Sequence, residues 1–247
     1  MPERTVASDG DNQVASSGTG DRISAAASAV LFDLDGTFAD TAPDMALALN
    51  RLLQRHGRAS LPPDAVRPHV SSGSRGMLAV GFGLQPFDAG YDALRREYLD
   101  LYAEDICRHT QPFPGIQQLI DALHSRGVAW GIVTNKPGWL TDPLLAAMAL
   151  KPAPDCIVSG DTVARAKPHP DPLLHACALI AHAPERCWYI GDDERDIVAG
   201  RAAGMGTLVA GYGYLGTASH PRDWGADGLI EHPLDILDWL DRPRKTA

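Results

Sequence analysis

Five short apolar runs punctuate this chain, and most are separated by enough residues for a helix: Ala29 to Phe32, Val128 to Val133, Cys156 to Ser159, Cys187 to Ile190 and Gly206 to Ala210. Unbroken apolarity fits strands buried on both faces rather than strands with one wet face. Between them, Ile116 to Ser125, Pro172 to His182 and Asp196 to Ala203 read as helices. Such alternation implies an α/β fold, a Rossmann-like parallel sheet with helices on both faces. Ligands of such sheets bind outside the carboxyl ends of the strands. Four of the runs lead into carboxylates, hydroxyls or lysine, which is where functional side chains are expected.

The first strand is followed by a long helical stretch. From Thr41 onward, Met45, Leu49, Leu52 and Leu53 recur at helical spacing, Pro43 falls in the first turn, and Thr41-x-x-Asp44 has the form of a capping box. Helical patterns continue near Asp64 to Gly81 and Tyr91 to Ile106, and strand patterns return only beyond the turn signal Pro112-Phe113-Pro114-Gly115. The expected organisation is an α/β core formed by residues 28–40 and 112–247, with residues 41–111 inserted as a small all-helical cap. Residues 1–27 mix Asp9, Asp11 and Asp21 with Ser and Gly, contain no aromatic residue, and lack the basic start and apolar run of a secretory signal. They are expected to form a disordered extension.

Composition narrows the partners. With 31 acidic against 22 basic side chains in 247 residues, the formal charge is −9, leaving no basic excess to neutralise a nucleic-acid backbone or hold an anionic membrane. No window approaches the ~18 consecutive apolar residues of a membrane span. Cys107, Cys156, Cys177 and Cys187 are widely spaced with no C-x-x-C pair, which suggests neither a zinc site nor a disulfide framework and fits thiols in a reducing cytoplasm.

The strand ends carry the chemistry. Asp33-Leu34-Asp35-Gly36-Thr37 follows the first run. Strand alternation would point Asp33 and Asp35 the same way, and Gly36 permits a sharp exit. Two carboxylates facing one pocket repel unless a cation relieves them, so a divalent metal with oxygen ligands is their natural partner; an Asx-rich turn is the plainer alternative. Thr134-Asn135-Lys136 offers a hydroxyl, an amide and an ammonium to phosphate oxygens, although Thr-Asn also suits a helix N-cap. Lys167-Pro168 lies in a turn whose prolines would hold the lysine in place, and His169 beside it reads as a turn residue. Finally, Gly191-Asp192-Asp193-Glu194-Arg195-Asp196 puts a carboxylate cluster at a helix start. Asp193 and Asp196 can be caps, whereas Asp192 is less easily explained that way and is a candidate third oxygen ligand.

Asp-x-Asp, Thr, Lys and Gly-Asp-Asp in this order resemble the haloacid dehalogenase-like hydrolase superfamily, in its subfamily with a small helical cap, from about Ala29 to Asp241. Asp33-x-Asp35-Gly36-Thr37-x-x-Asp40-Thr41-x-Pro43-Asp44 and Val133-Thr134-Asn135-Lys136-Pro137 are most similar to phosphoglycolate phosphatases. Gly211-Tyr212-Gly213-Tyr214 and Trp224-Gly225-Ala226-Asp227 are similar to the related group that hydrolyses N-acetylmuramic acid 6-phosphate. Phe38 stands where leucine is usual.

The resemblance implies Asp33 as nucleophile forming an aspartyl-phosphate, and Asp35 as acid for the leaving alkoxide and then base for water. It implies that Thr134, Asn135 and Lys167 bind phosphate, and that Mg²⁺ is held by the Asp33 side chain, the Asp35 main-chain carbonyl and Asp192, with Asp196 in the outer shell. Dehalogenases of the superfamily lack the second acid, which is present here as Asp35. A phosphonate hydrolase needs a cap lysine, and residues 41–111 contain none. A sugar phosphomutase, or an inactive fold serving as a binding module, are the more remote readings. In the cap, Gly73 and Gly76 would let backbone approach a ligand, and Arg75 could pair with a carboxylate. Both 2-phosphoglycolate and N-acetylmuramic acid 6-phosphate carry one. A small phosphorylated metabolite is thus the expected partner, with phosphoglycolate the leading substrate.

Overall fold

The computed structural model describes residues 27–216 and 219–242, so nearly all of the expected N-terminal extension lies outside the described residues. The elements in chain order are β1 (Ala29–Phe32), β2 (Ala39–Asp40), α1 (Ala42–Arg55), α2 (Pro63–Val66), a 3-10 turn over Arg67–Ser72, α3 (Gly73–Phe82), α4 (Tyr91–Glu104) and β3 (Gln111–Pro112). They continue with α5 (Ile116–Ser125), β4 (Ala129–Val133), α6 (Gly138–Met148), β5 (Cys156–Val158), α7 (Asp171–Leu179), β6 (Cys187–Gly191), α8 (Glu194–Ala202), β7 (Gly206–Ala210), β8 (Gly228–Ile230) and α9 (Leu237–Leu240).

Six strands form one parallel sheet in the order β5-β4-β1-β6-β7-β8. All four residues of β1 are fully buried, as befits a strand flanked by β4 and β6 and covered on both faces. From β1 the chain builds outward to β4 and β5, then crosses to β6, β7 and β8 on the other side. The carboxyl end of β1 is therefore the point where the strand order reverses and a crevice opens. Between β1 and the rest of the sheet, the chain leaves and returns through the antiparallel pair β2–β3, with Ala39 opposite Pro112 and Asp40 opposite Gln111. The helices α1 to α4 lie between those two short strands and make the all-helical cap, in which α1 packs on α3 and α4. Phe38 is fully buried and stacks on Trp130 with ring centroids 5.4 Å apart, so the bulk of this side chain is absorbed by the core.

The structure departs from the sequence reading in several places. The helical pattern from Asp64 to Gly81 is broken into α2, the 3-10 turn and α3, because Pro68 cannot donate a backbone bond and Gly73 takes φ +59°. The Thr41/Asp44 capping box does not form. Thr41 Oγ1 instead donates to Asp35 Oδ1 at 2.7 Å, and the Asp44 carboxylate accepts from His109 N, Thr110 N and Thr110 Oγ1, tying α1 to the segment after α4. Helix α6, with Pro143 inside it, and the three-residue edge strand β8 were not foreseen. The four cysteines are free thiols, and no helix among the described residues is long and apolar enough to cross a membrane.

Candidate active site

Asp33 is the first residue past β1, anchored by its N–H to Ile190 O at 2.9 Å. A tight turn follows, in which Phe38 N and Ala39 N both donate to Leu34 O. Gly36 in that turn has φ +86°, and a Cβ there would sit 2.2 Å from Asp192 Oδ2. Only glycine lets this loop lie against Asp192.

Oxygen atoms of Asp33, Asp192 and Asp196 lie within 4.8 Å of one another, and all three residues are buried. One ammonium serves two of them: Lys167 Nζ is 2.7 Å from Asp196 Oδ1 and 2.9 Å from Asp33 Oδ1. The Asp33 contact is an ion pair without hydrogen-bond alignment, so Asp33 Oδ1 is buried with no hydrogen-bond partner. Lys167 Nζ also donates to Tyr189 Oη at 2.7 Å and Val133 O at 3.1 Å. Burial opposes its charge, but Asp196 and Asp33 outweigh that and hold the ammonium above its ordinary pKa. Asp196 Oδ2 accepts from Asp193 N at 3.2 Å in a capping box at the start of α8, so both Asp196 oxygens are committed. Among the described residues, Asp192 has no such cation. Its oxygens accept from Thr37 Oγ1, Ser71 Oγ and Tyr214 N, and burial, followed by Asp33 and Asp196, pushes its carboxyl up to about 8. Three crowded carboxylates with one ammonium between them, and an Asp33 oxygen with no hydrogen-bond partner among the described residues, fit a divalent cation that prefers oxygen ligands.

The Asp35 side chain is engaged elsewhere. Lys136 Nζ donates to both its oxygens, at 2.8 and 3.0 Å, and Thr41 Oγ1 donates to Oδ1. Strand alternation does not bring the two carboxylates to one cation as expected: β1 ends at Phe32 and does not reach Asp35, whose carboxylate pairs with Lys136, while Asp33 lies beside Lys167, which it shares with Asp196. The Asp35 carboxylate is not part of the acidic cluster. Lys136, read from sequence as one of three phosphate-facing groups, is instead the cation of Asp35.

Thr134, at the end of β4, is buried; its Oγ1 accepts from Lys136 N at 3.1 Å and keeps its own O–H to donate. Asn135 lines the same crevice, and its side chain brackets the Lys167 backbone, donating to Lys167 O and accepting from Lys167 N, both at 3.0 Å, and so fixes the lysine.

A cavity of about 260 Å³ opens beside Asp35, between cap and core. Gly73 and Arg75 line it from the cap, as do Tyr91 and Arg95, and Lys136 and Arg195 line it from the core. Gly76 does not face a ligand: a Cβ there would sit 2.1 Å from His69 O, so its glycine serves packing of α3 on the 3-10 turn. Ser71, which the sequence reading passed over, reaches from the cap to Asp192; its only sequence signal was its place in the Ser71-Ser72-Gly73-Ser74 run.

Comparison with known proteins identifies the family. The family model of haloacid dehalogenase-like hydrolases matches residues 30–210. The N-acetylmuramic acid 6-phosphate phosphatase of Pseudomonas aeruginosa is 41% identical over 214 residues, 87% of this chain and 95% of that protein. The phosphoglycolate phosphatase of Xanthomonas campestris pv. campestris is 43% identical over 210 residues, 85% of this chain and 95% of that protein. In fold, a haloacid dehalogenase-like hydrolase of Streptococcus pneumoniae aligns with a TM-score of 0.74 at 23% identity, covering 87% of this chain and 99% of that one. With the motifs at the strand ends, the helical cap and these matches in agreement, the chain belongs to the haloacid dehalogenase-like hydrolase family.

Proposed function

We propose that the chain is a Mg²⁺-dependent phosphomonoester hydrolase that works through an aspartyl-phosphate on Asp33. The observation that carries this reading is the placement of Asp33 beside Lys167, which it shares with Asp196, and of Asp35 beside Lys136, at the crevice end of one strand. Asp33 attacks phosphorus, the bond to the leaving oxygen breaks, and Asp35 gives that oxygen a proton. Water then attacks the phosphorus of the aspartyl-phosphate, Asp35 takes its proton, and inorganic phosphate leaves with Asp33 restored. Asp35 Oδ2 accepts from Lys136 alone, whereas Oδ1 also accepts from Thr41, so Oδ2 is the oxygen with capacity to meet the leaving group. Lys167 and the Thr134 hydroxyl stabilise the transferring phosphoryl group, and Asn135 positions Lys167. Asp33, Asp192 and the Asp35 main chain would hold Mg²⁺, with Asp196 orienting Lys167 and the start of α8. Bound there, Mg²⁺ supplies charge stabilisation to the phosphoryl oxygens.

The leading substrate is 2-phosphoglycolate, supported by the relatives that bear that activity in their names. N-acetylmuramic acid 6-phosphate is the second reading. It is favoured by the cavity's volume of about 260 Å³, more room than a two-carbon acid fills. Measuring kcat/KM on the two phosphates side by side with Mg²⁺ decides between them, and turnover of neither overturns both substrate assignments.

A further inference from the structure

Two cavities meet at the junction of cap and core. Arg75 and Arg195 line both. The second cavity also holds Lys167, Asp193 and Glu194, so it borders the proposed phosphoryl site and supplies carboxylates of its own. Asp193 binds Arg195 through both oxygens, at 2.8 and 2.6 Å. Arg95, on α4, lines the first cavity together with Asp35, the proposed acid for the leaving group, and does not line the second. Among the described residues lining that cavity, Asp35 is the only carboxylate, and Lys136 holds both its oxygens. Arg95 is steered by a neutral group: its Nε donates to Ser74 Oγ at 3.1 Å, which orients the fork without neutralising it. Such a wall, with the Arg95 guanidinium paired to no carboxylate among the described residues, matches a ligand that brings its own anion.

We propose that Arg95 is a specificity-determining residue that binds a carboxylate on the leaving group, and that Arg75, at the junction, lies nearer the phosphoryl end. This rests on the phosphatase reading and names the part of the substrate that the cap selects: an anionic group remote from the phosphate. Ser74 positions the Arg95 guanidinium.

The test compares the wild type, Arg95→Gln and Arg95→Lys, each with Mg²⁺, on two matched pairs and one reference. The pairs are 2-phosphoglycolate against 2-hydroxyethyl phosphate, and N-acetylmuramic acid 6-phosphate against N-acetylglucosamine 6-phosphate; only the first member of each has the carboxylate. The reference is p-nitrophenyl phosphate. In Arg95→Gln, KM for the carboxylate member of the better-used pair is expected to rise about tenfold or more, the loss of one charge-assisted hydrogen bond. The carboxylate-free member and the aryl phosphate should keep their kcat/KM within about twofold, and Arg95→Lys should recover part of the loss. Parallel losses on both members, or none on either, overturn the assignment. A wild type that hydrolyses the aryl phosphate without preferring either carboxylate member overturns the carboxylate subsite while leaving the phosphatase reading intact. Failure on all five compounds overturns both.

Discussion

Ser71 Oγ donates a 2.8 Å hydrogen bond to Asp192 Oδ2, joining the cap directly to the acidic cluster of the core. The contact closes a ring. Arg67, on the same 3-10 turn as Ser71, pairs with Asp40 at 3.0 Å, Asp40 accepts from Tyr214 Oη at 2.8 Å, and Tyr214 N donates to Asp192 Oδ2 at 3.0 Å. The Tyr214 ring also lies under the Arg67 guanidinium. One short segment of the cap is thus held at two points to the residue proposed to bind the metal.

Replacing Ser71 by Ala removes a donor that favours the ionised form of Asp192. The affinity for Mg²⁺, read by calorimetry, is expected to fall by roughly tenfold, the usual cost of losing a hydrogen bond that supports a metal ligand. The melting temperature without metal should change little, because Ser71 is only partly buried. Unchanged affinity would mean that the contact serves packing alone.

Asp33→Asn keeps the size of the side chain and removes the nucleophile. A folded protein, melting within a few degrees of the wild type, with no release of phosphate from any substrate, is the expected result. Substantial steady-state turnover in that variant would sink the nucleophile assignment.

The strand ends were legible because a buried parallel strand admits almost nothing polar until it leaves the sheet, so Asp33, Thr134 and Asp192 announce themselves against their apolar runs. Partners across the fold were not legible. Thr41 and Asp44 satisfy a local capping rule, yet Asp35 and Thr110 outcompete the helix terminus for those side chains. Lys136 and Lys167 look alike in sequence, each beside a proline, and only the fold assigns one to Asp35 and the other to Asp33 and Asp196. The amide of Asn135 likewise has no local sign that it will bracket a backbone 32 residues away.

Lys136 supplies the next prediction. It is buried, and without it the Asp35 carboxylate keeps only the Thr41 hydroxyl among these donors. Lys136→Met should lower kcat far more than it raises KM, and should lower stability by about 3 kcal/mol by leaving a largely buried carboxylate unpaired. Adding Asp35→Asn should restore most of the stability, since the uncompensated charge is gone, but none of the activity. Recovery of activity in the double variant would remove Asp35 from the mechanism.

The last prediction concerns pH. Burial first, then Asp33 and Asp196, pushes the Asp192 carboxyl up to about 8, so the folded protein holds this proton more tightly than the unfolded chain, whose carboxylates titrate near 4. The stability this proton contributes is fully present below about pH 4 and is lost as pH rises through about 8. Without metal, the rise leaves an ionised Asp192 beside Asp33 and Asp196, which already share Lys167. Mg²⁺ has to displace the proton at low pH and finds an ionised ligand at high pH. Its stabilising effect should therefore grow with pH: the gain in Tm on adding saturating Mg²⁺ to chelator-treated protein should be clearly larger at pH 8.5 than at pH 5.5. In Asp192→Asn both the gain and its pH dependence should shrink. Equal gains at the two pH values in the wild type would show that Asp192 is not the group that exchanges a proton for the metal.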